Sequence, residues 1–352
     1  MSKKKVLITP LNWGLGHAAR CIPVIRSLVK RGHEVHIGSD GVALALLKEE
    51  FPELLFTELP GYGIHYKGKN LMKSLFLQIP SMMKAIKKEK AHVKKYVKEH
   101  QIDIIISDNR FGCRSKKTEN VFITHQLQLI LSNEALTISA SAINKFMIEK
   151  FDEIWVPDAP PPNNISGMMS DRKGFKKISY LGPLSRFKFK EQKPKRDFIV
   201  ILSGPVPART YLELAITEQV VLLPYSFLIV RGLPGNGYPA LKLPGHTETV
   251  NFMTAENLNK AINESKRVIS RTGYTTVMDL VTLNKKGILI PTPGQPEQEY
   301  LGRELVKKGR FIIASQEELD LETLCRISLE DESQPVHVFE SRLEVALDNA
   351  GL

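Results

Sequence analysis

Residues 268–305 read VISRTGYTTVMDLVTLNKKGILIPTPGQPEQEYLGREL, and the pattern of this stretch decides the fold. Val268 and Ile269 end a short apolar run of the kind a buried strand leaves. Arg271-Thr272-Gly273 is a polar turn. From Thr276 to Leu283 the apolar residues Val277, Leu280, Val281 and Leu283 recur at helical spacing. Gly287-Ile288-Leu289-Ile290-Pro291 is a second apolar strand, stopped by proline. Gln295-Pro296-Glu297-Gln298-Glu299 opens another helix, with Pro296 at a first-turn position that needs no N–H. Strand, turn, helix, strand, loop, helix is the order of a parallel α/β sheet. Ligands of such sheets lie at the carboxyl ends of the strands, where both loops fall. Helix N-termini there offer N–H groups and positive potential to phosphate. Arg271, Glu297 and Gln298 suit a phosphorylated, hydroxyl-rich ligand.

The same order extends upstream. Asp197 to Leu202 starts a βα series, and Ser203-Gly204-Pro205-Val206-Pro207 is its first loop. The loop is small and polar, but its two prolines remove N–H donors and make it unlike a P-loop. Ser226 to Val230 is a strand, followed by a mobile loop from Arg231 to Gly237. Thr249 to Met253 is a further short strand, and Asn257 to Ser265 a helix. Phe311 to Ile313 is one more strand; Leu319–Leu329 and Val338–Leu347 are late helices.

The N-terminal half repeats the architecture without repeating the residues. Lys5 to Pro10 is a strand, Asn12 to Arg20 a glycine-rich turn, Cys21 to Arg31 a helix closed by Gly32, and Glu34 to Gly38 the next strand. The turn reads Gly14-x-Gly16-His17 and lacks the third glycine of a dinucleotide site. His17 is either a group titrating near neutral pH in a cleft or a capping, packed imidazole. Strands at Phe51–Glu58, Ile102–Asp108, Val121–Gln126, Glu153–Pro157 and Ile178–Pro183 complete this half, with an aromatic loop from Gly61 to Tyr66. His17, Asp108 and His125 fall at strand ends and resemble an acid/base set more than a metal site. The fold class is therefore α/β, with two doubly wound, Rossmann-like domains facing across a cleft. The expected organisation is a first domain at 1–165, a linker region at 166–195, a second domain at 196–330, and a C-terminal helix at 331–352 free to pack back on the first.

Composition narrows the class. The chain has 352 residues, 42% apolar and 25% charged, as a globular protein does. Cys21, Cys113 and Cys325 are too far apart for a disulfide framework or zinc spacing, which points to a reducing compartment. No apolar run reaches the roughly 20 residues of a membrane-spanning helix, and the basic start lacks a signal-peptide core. A cytoplasmic protein is expected. The formal charge of +11 is uneven. Lysines crowd the stretch from Tyr62 to His100, a second basic stretch runs from Arg172 to Arg196, and Glu317 to Asp348 is acidic. Such asymmetry suits nucleic acid, an anionic membrane, or simply a solvated lysine face. Apolar residues from Leu71 to Met83 followed by the lysines suit membrane contact through Leu71–Lys98, or an ordinary core.

Gly14-Leu15-Gly16-His17, Arg271-Thr272-Gly273 with Asp279, and Glu297-Gln298-Glu299 together resemble the GT-B fold glycosyltransferases of family 28. That family includes the peptidoglycan lipid-intermediate N-acetylglucosaminyltransferase and the monogalactosyldiacylglycerol synthases. The resemblance runs in order along nearly the full chain. It implies a sugar moved with inversion from a nucleotide-sugar donor, a UDP-sugar, to a hydroxyl acceptor such as a lipid or lipid-linked glycan, without metal or cofactor. It implies His17 as general base, with Asp108 as the alternative, and Gly14, Gly16 and His125 on the acceptor side. Donor residues follow by position: Ser203 and Gly204 near the diphosphate, Arg231 beside them, and Phe252 and Met253 at the base. Arg271, Thr272 and Gly273 fall near the phosphates, Asp279 at the ribose, and Glu297 and Gln298 at the sugar. A peripheral place on the inner face of the plasma membrane follows, with no nucleic-acid partner. Two other readings share the pattern: a nucleotide-sugar 2-epimerase of the same fold, and a non-catalytic protein binding through its basic surface.

Overall fold

The computed structural model describes residues 2–63, 71–131, 133–204, 206–233, 237–331 and 339–352, with side chains except at 71–77 and 79. The expectations for Ile64-His65-Tyr66, Lys67, Lys69, Pro205, residues 234–236 and Val338, and for the side chains of 71–77 and Ile79, lie outside the described residues. In chain order the elements are β1 (Lys5–Pro10), α1 (Gly16–Lys30), β2 (Glu34–Ser39), α2 (Gly41–Glu50), β3 (Leu55–Glu58), α3 (Leu71–His100), β4 (Ile104–Asp108), β5 (Glu119–Ile123), α4 (Glu134–Ile148), β6 (Glu153–Val156) and β7 (Ile178–Tyr180). They continue with β8 (Arg196–Ile201), α5 (Ala208–Val220), β9 (Phe227–Val230), β10 (Thr247–Val250), α6 (Ala255–Asn263), β11 (Ser265–Ser270), α7 (Tyr274–Thr282), β12 (Gly287–Leu289), α8 (Pro296–Lys307), β13 (Ile312–Ile313), α9 (Leu321–Glu330) and α10 (Leu343–Asn349).

The chain divides into two compact units, Met1–Leu184 with Glu340–Leu352, and Ser185–Phe339. Among the described residues the first holds a seven-stranded sheet in the order β3-β2-β1-β4-β5-β6-β7, and the second a six-stranded sheet in the order β10-β9-β8-β11-β12-β13. Every pairing is parallel. Each order reverses once, between β1 and β4 and between β8 and β11, and these are the points where open α/β sheets bind ligands.

Alternation along the strands assigns the layers. Val6 and Ile8 of β1, and Ile104 and Ile106 of β4, pack into a core with α1, α2 and α10. Leu7 and Ile105, on the opposite face, pack with Val93, Tyr96 and Val97 of α3. In the second unit Phe198, Val200 and Ile269 pack with Leu212, Ile216 and Val220 of α5 and Leu321 and Cys325 of α9. Gly287 is required at the start of β12, because a Cβ there would lie 2.0 Å from the carbonyl oxygen of Val268.

The element boundaries move in informative ways. α1 begins at Gly16, so His17 lies in its first turn rather than before the helix. Ser265 opens β11 instead of ending a helix. β10 stops at Val250, which leaves Phe252 and Met253 in the loop beyond it. α4 is a helix absent from the sequence expectations; Asn133 caps it, its side chain accepting from the Leu136 N–H at 3.1 Å.

The end of the chain belongs to the first unit. Leu343, Ala346 and Leu347 of α10 are buried in its core. Arg31 donates to Asp348 at 2.6 Å and Glu344 at 2.5 Å, and the Arg342 N–H to the Leu181 carbonyl at 2.7 Å. Leu347→Ala is therefore expected to destabilise the first unit by roughly 2–5 kcal/mol. The two tryptophans, Trp13 and Trp155, both lie in that unit. Their fluorescence in a urea titration reads the effect directly, and an unchanged midpoint would show that α10 is not part of that core.

Candidate active site

The switch point of the first unit gathers charged side chains from three strand ends. Pro10 of β1, Asp108 of β4 and Ile123 of β5 lie side by side in register. Gly14 takes a left-handed backbone, φ +74°, in the loop after β1, where nothing crowds its Cβ position. α1 then starts, and His17 and Arg20 lie one turn apart on the same helix face. Both reach Asp108, which is fully buried. His17 Nδ1 lies 2.8 Å from Asp108 Oδ1. Arg20 donates to both Asp108 oxygens, and its third nitrogen lies 2.8 Å from His125 Nδ1.

The protons in this cluster can be placed. Burial alone would push the Asp108 carboxyl up, but the Arg20 guanidinium and then His17 hold it well below the usual carboxylate range. Asp108 is thus ionised and can only accept, which favours the His17 proton on Nδ1 and a lone pair on Nε2. Arg20 Nη2, 2.7 Å from the same nitrogen, favours the opposite tautomer. Arginine only donates, so His125 Nδ1 accepts and its proton is on Nε2. The His17 side chain retains 12% exposure.

A second buried network braces the same edge. Arg110 donates to the Pro10 carbonyl at 3.0 Å, to the Pro60 carbonyl at 3.2 Å, to Glu89 Oε1 at 2.7 Å and to Asp40. Glu89, in the lysine-rich α3, is fully buried and also accepts from the Tyr62 hydroxyl at 2.9 Å and the Gly112 N–H at 2.8 Å. The lysine face around it is solvated: Lys84, Lys87, Lys88, Lys90, Lys94, Lys95 and Lys98 are exposed, while Ala85, Val93, Tyr96 and Val97 are buried. Neither Arg20 nor Arg110 was among the residues the sequence singled out. The readable signal for Arg20 was its position three residues after His17.

In the second unit, Ile201 of β8, Ser270 of β11 and Leu289 of β12 end in register. Ser203 and Gly204 therefore lie at the same sheet edge as Arg271, Thr272 and Gly273. Gly204 is exposed with φ +102°. Gly273 is the N-cap of α7 and supplies no side-chain acceptor to the helix amides. Thr272 is fully buried, and its hydroxyl has no hydrogen-bond partner among the described residues.

Both expected donor arginines are occupied by their own unit. Arg271 is buried and donates to the carbonyls of Ala208 at 2.8 Å, Ile290 at 3.3 Å and Pro291 at 3.1 Å, and to Gln316 at 2.6 Å. Burial pulls its pKa down to about 10. Arg231 pairs with Glu213 and donates to the Pro239 carbonyl at 2.9 Å and to Asn251 at 2.8 Å. Each ties loops at the carboxyl edge together.

Asp279 sits half-buried in α7 and accepts from the Ser185 hydroxyl at 2.5 Å. Burial pushes its pKa up to about 7, against the Ser185 bond and the Arg186 charge. A carboxyl raised in this way stabilises the fold below its unfolded pKa, and that contribution is lost as pH rises through about 7. Gln298 folds onto its own turn, accepting from the Thr292 N–H at 2.9 Å and donating to Gln295 at 2.6 Å. Glu297 is half-buried in the first turn of α8, and Phe252 is 43% exposed beyond β10. Among the described residues no group of His, Cys, Asp and Glu could hold a metal ion, and no helix is long and apolar enough to cross a membrane.

Known proteins are similar to this chain in sequence and in fold. Residues 198–343 match the glycosyltransferase family 28 C-terminal domain, and residues 5–134 match glycosyl transferase family 1. An uncharacterized glycosyltransferase of Methanosarcina acetivorans is 24% identical over 321 residues, covering 84% of this chain and 79% of the relative. MurG of Acinetobacter baumannii superposes with a TM-score of 0.56 at 15% identity, over 93% of this chain and 90% of its own. The spinosyn rhamnosyltransferase SpnG, complexed with thymidine diphosphate, superposes with a TM-score of 0.62 at 15% identity, over 88% and 86%.

Arg20→Met tests the first cluster. It strands the Asp108 charge in the interior and is expected to destabilise the first unit by roughly 3–5 kcal/mol, whereas Arg20→Met with Asp108→Asn should recover a large part of the loss. Tryptophan-monitored urea unfolding of both variants checks this; no recovery in the double variant would mean the ion pair is not the source.

Proposed function

We propose that this chain, a glycosyltransferase of the GT-B fold with a family 28 C-terminal domain, moves a sugar from a UDP-sugar to a hydroxyl of a lipid or lipid-linked glycan, with inversion. The observation that carries this reading is the His17–Asp108 pair at the β1/β4 switch point, with the ionised carboxylate 2.8 Å from His17 Nδ1.

The chemistry asks for a base and for positive potential at the leaving group. His17 Nε2 takes the proton of the acceptor hydroxyl as its oxygen attacks the anomeric carbon. The bond from that carbon to the phosphate oxygen breaks, the nucleoside diphosphate leaves with the electron pair, and a single displacement inverts the centre. Asp108 stabilises the imidazolium that forms and fixes its orientation, and Arg20 keeps Asp108 ionised. His125, oriented by Arg20, stands on the acceptor side.

On the donor side the phosphates fall to the α7 N-terminus at Gly273, the Ser203-Gly204 loop and the Thr272 hydroxyl. Arg271 and Arg231 act as positioning residues, because their guanidiniums are committed to carbonyls and carboxylate of their own unit. Asp279 accepts the ribose hydroxyls in exchange for Ser185, Phe252 and Met253 flank the base, and Glu297 and Gln298 meet the sugar. The thymidine diphosphate in the similar SpnG supports a nucleoside diphosphate as the shared element of the donor.

His17→Ala should lower transfer by about 10²–10⁴-fold while UDP affinity, measured by calorimetry, stays within about twofold. Loss of UDP binding with it would move His17 to the donor side. The Asp279 assignment makes a separate expectation. The carboxyl must be ionised to accept two hydroxyl protons, so UDP affinity should climb as pH rises through about 7 and be weak and flat with pH in Asp279→Asn. A flat wild-type profile would remove Asp279 from the ribose. Formation of an epimer from UDP-sugar alone, without acceptor, would replace transfer by epimerisation.

A further inference from the structure

Two residues at the carboxyl edge of the first sheet flank the His17–Asp108 pair without belonging to it. The first is Trp13, a large aromatic side chain that is 41% exposed; Leu15, two residues on, is 40% exposed. Both sit in the short loop between β1 and α1, where Gly14 between them takes φ +74°. The loop is held at both ends. Before it, the Leu11 N–H donates to the Asp108 carbonyl at 3.0 Å. Asn12 donates to Asp40 at 3.1 Å and accepts from the Ala43 N–H at 3.3 Å. After it, α1 brings His17 Nδ1 to 2.8 Å from Asp108. Trp13 is thus carried on a fixed loop, one turn of chain before the candidate base.

The second is Asn109, which follows Asp108 at the end of β4. Its backbone is left-handed, φ +57°, a conformation rare outside glycine and tolerated best by asparagine and aspartate. Glycine would fit that backbone at less cost, so the turn by itself does not require a carboxamide. The Asn109 N–H donates to the Ile123 carbonyl at 3.3 Å, which holds the residue between β4 and β5. Its side chain is half-buried, and the carboxamide has no hydrogen-bond partner among the described residues. An acceptor oxygen and two N–H donors are left for a ligand.

An exposed indole and an unengaged carboxamide on either side of an acid/base pair suit one ligand chemistry. One face of a hexopyranose is a patch of C–H groups with slight positive charge, which packs on the negative face of an aromatic ring. Its rim carries neighbouring hydroxyls, each both donor and acceptor, and a carboxamide can meet two of them at once. An acyl chain laid over this loop would cover Trp13 but strip water from the Asn109 carboxamide and replace none of its hydrogen bonds. A glycerol would satisfy the carboxamide and leave the indole bare. We propose that Trp13 and Asn109 bind a hexopyranose, so that the hydroxyl receiving the transferred sugar is itself borne on a sugar ring. The pyranose site stands on these two residues; its role as the acceptor site rests on the transfer reading above.

Octyl β-glycosides of glucose, galactose and N-acetylglucosamine, used below their micelle-forming concentrations, test it on the full-length protein, with 1-octylglycerol as the sugarless control. Trp155 is fully buried, so iodide quenching of tryptophan emission reports on Trp13. At least one glycoside should bind saturably and shield the emission from iodide, and octylglycerol should do neither. By calorimetry, Trp13→Ala should lose about tenfold or more in glycoside affinity, and Trp13→Phe should recover most of it. Asn109→Gly, which the backbone accepts, should lose about five- to tenfold with an unchanged urea midpoint. Three results would overturn the proposal: equal binding of octylglycerol, no saturable binding of any glycoside, or near wild-type affinity in both Trp13→Ala and Asn109→Gly. Release of UDP from UDP-sugars separates this proposal from the transfer reading. Release with dioctanoylglycerol but with none of the glycosides would keep transfer and reject the sugar acceptor. Glycoside binding at Trp13 with no release under any condition would keep the pyranose site and reject transfer.

Discussion

The buried contact of Arg20 with Asp108 is the constraint on which the first unit's chemistry depends. A carboxylate without solvent is costly, and it persists in the interior only when paired and hydrogen-bonded. Arg20 supplies that pairing through both oxygens, from the helix that follows β1, while Asp108 ends β4. The pair thus bridges the reversal of strand order. Because it keeps Asp108 ionised, it also sets the acceptor that faces His17, and through a third nitrogen it fixes the tautomer of His125. One guanidinium orders two imidazoles.

The second unit solves a different problem with similar parts. Its switch point presents a helix start capped by glycine, an exposed glycine loop and a threonine hydroxyl without a hydrogen-bond partner among the described residues. The cations nearby are spent on structure. Arg271 and Arg231 gather carbonyls and a carboxylate at the sheet edge, which fixes the loops that carry those amides. Under the proposed donor reading, the backbone dipoles of those loops would form the anion site.

Much of this was legible in the sequence. Apolar runs separated by glycine and proline mark the strands, and the polar residues that follow or close them, Asp108, His125 and Arg271, mark the carboxyl edges of the sheets. What the sequence hid is the direction of side chains. Nothing in Arg271 or Arg231 as letters says that the guanidinium turns inward to carbonyls, and Glu89 among lysines reads as a solvated charge although it is buried against Arg110. α4 was illegible for the opposite reason. Its apolar residues are spaced for a face, but that face meets no core, so apolar spacing read as burial misleads there. Arg20 was within reach, one helical turn from His17, and only the arrival of Asp108 from a strand 88 residues away reveals its purpose.

The most direct test of the account is the protonation of the His17 ring, read by a long-range ¹H–¹⁵N correlation spectrum of the protein labelled at histidine nitrogen, at a pH where the ring is neutral. His17 as the base requires the proton on Nδ1, facing the ionised Asp108, with Nε2 unprotonated, and Asp108→Asn should disturb that preference. A His17 ring carrying its proton on Nε2 in the wild-type protein would leave no lone pair where the acceptor hydroxyl must meet it, and would contradict the assignment of His17 as the base.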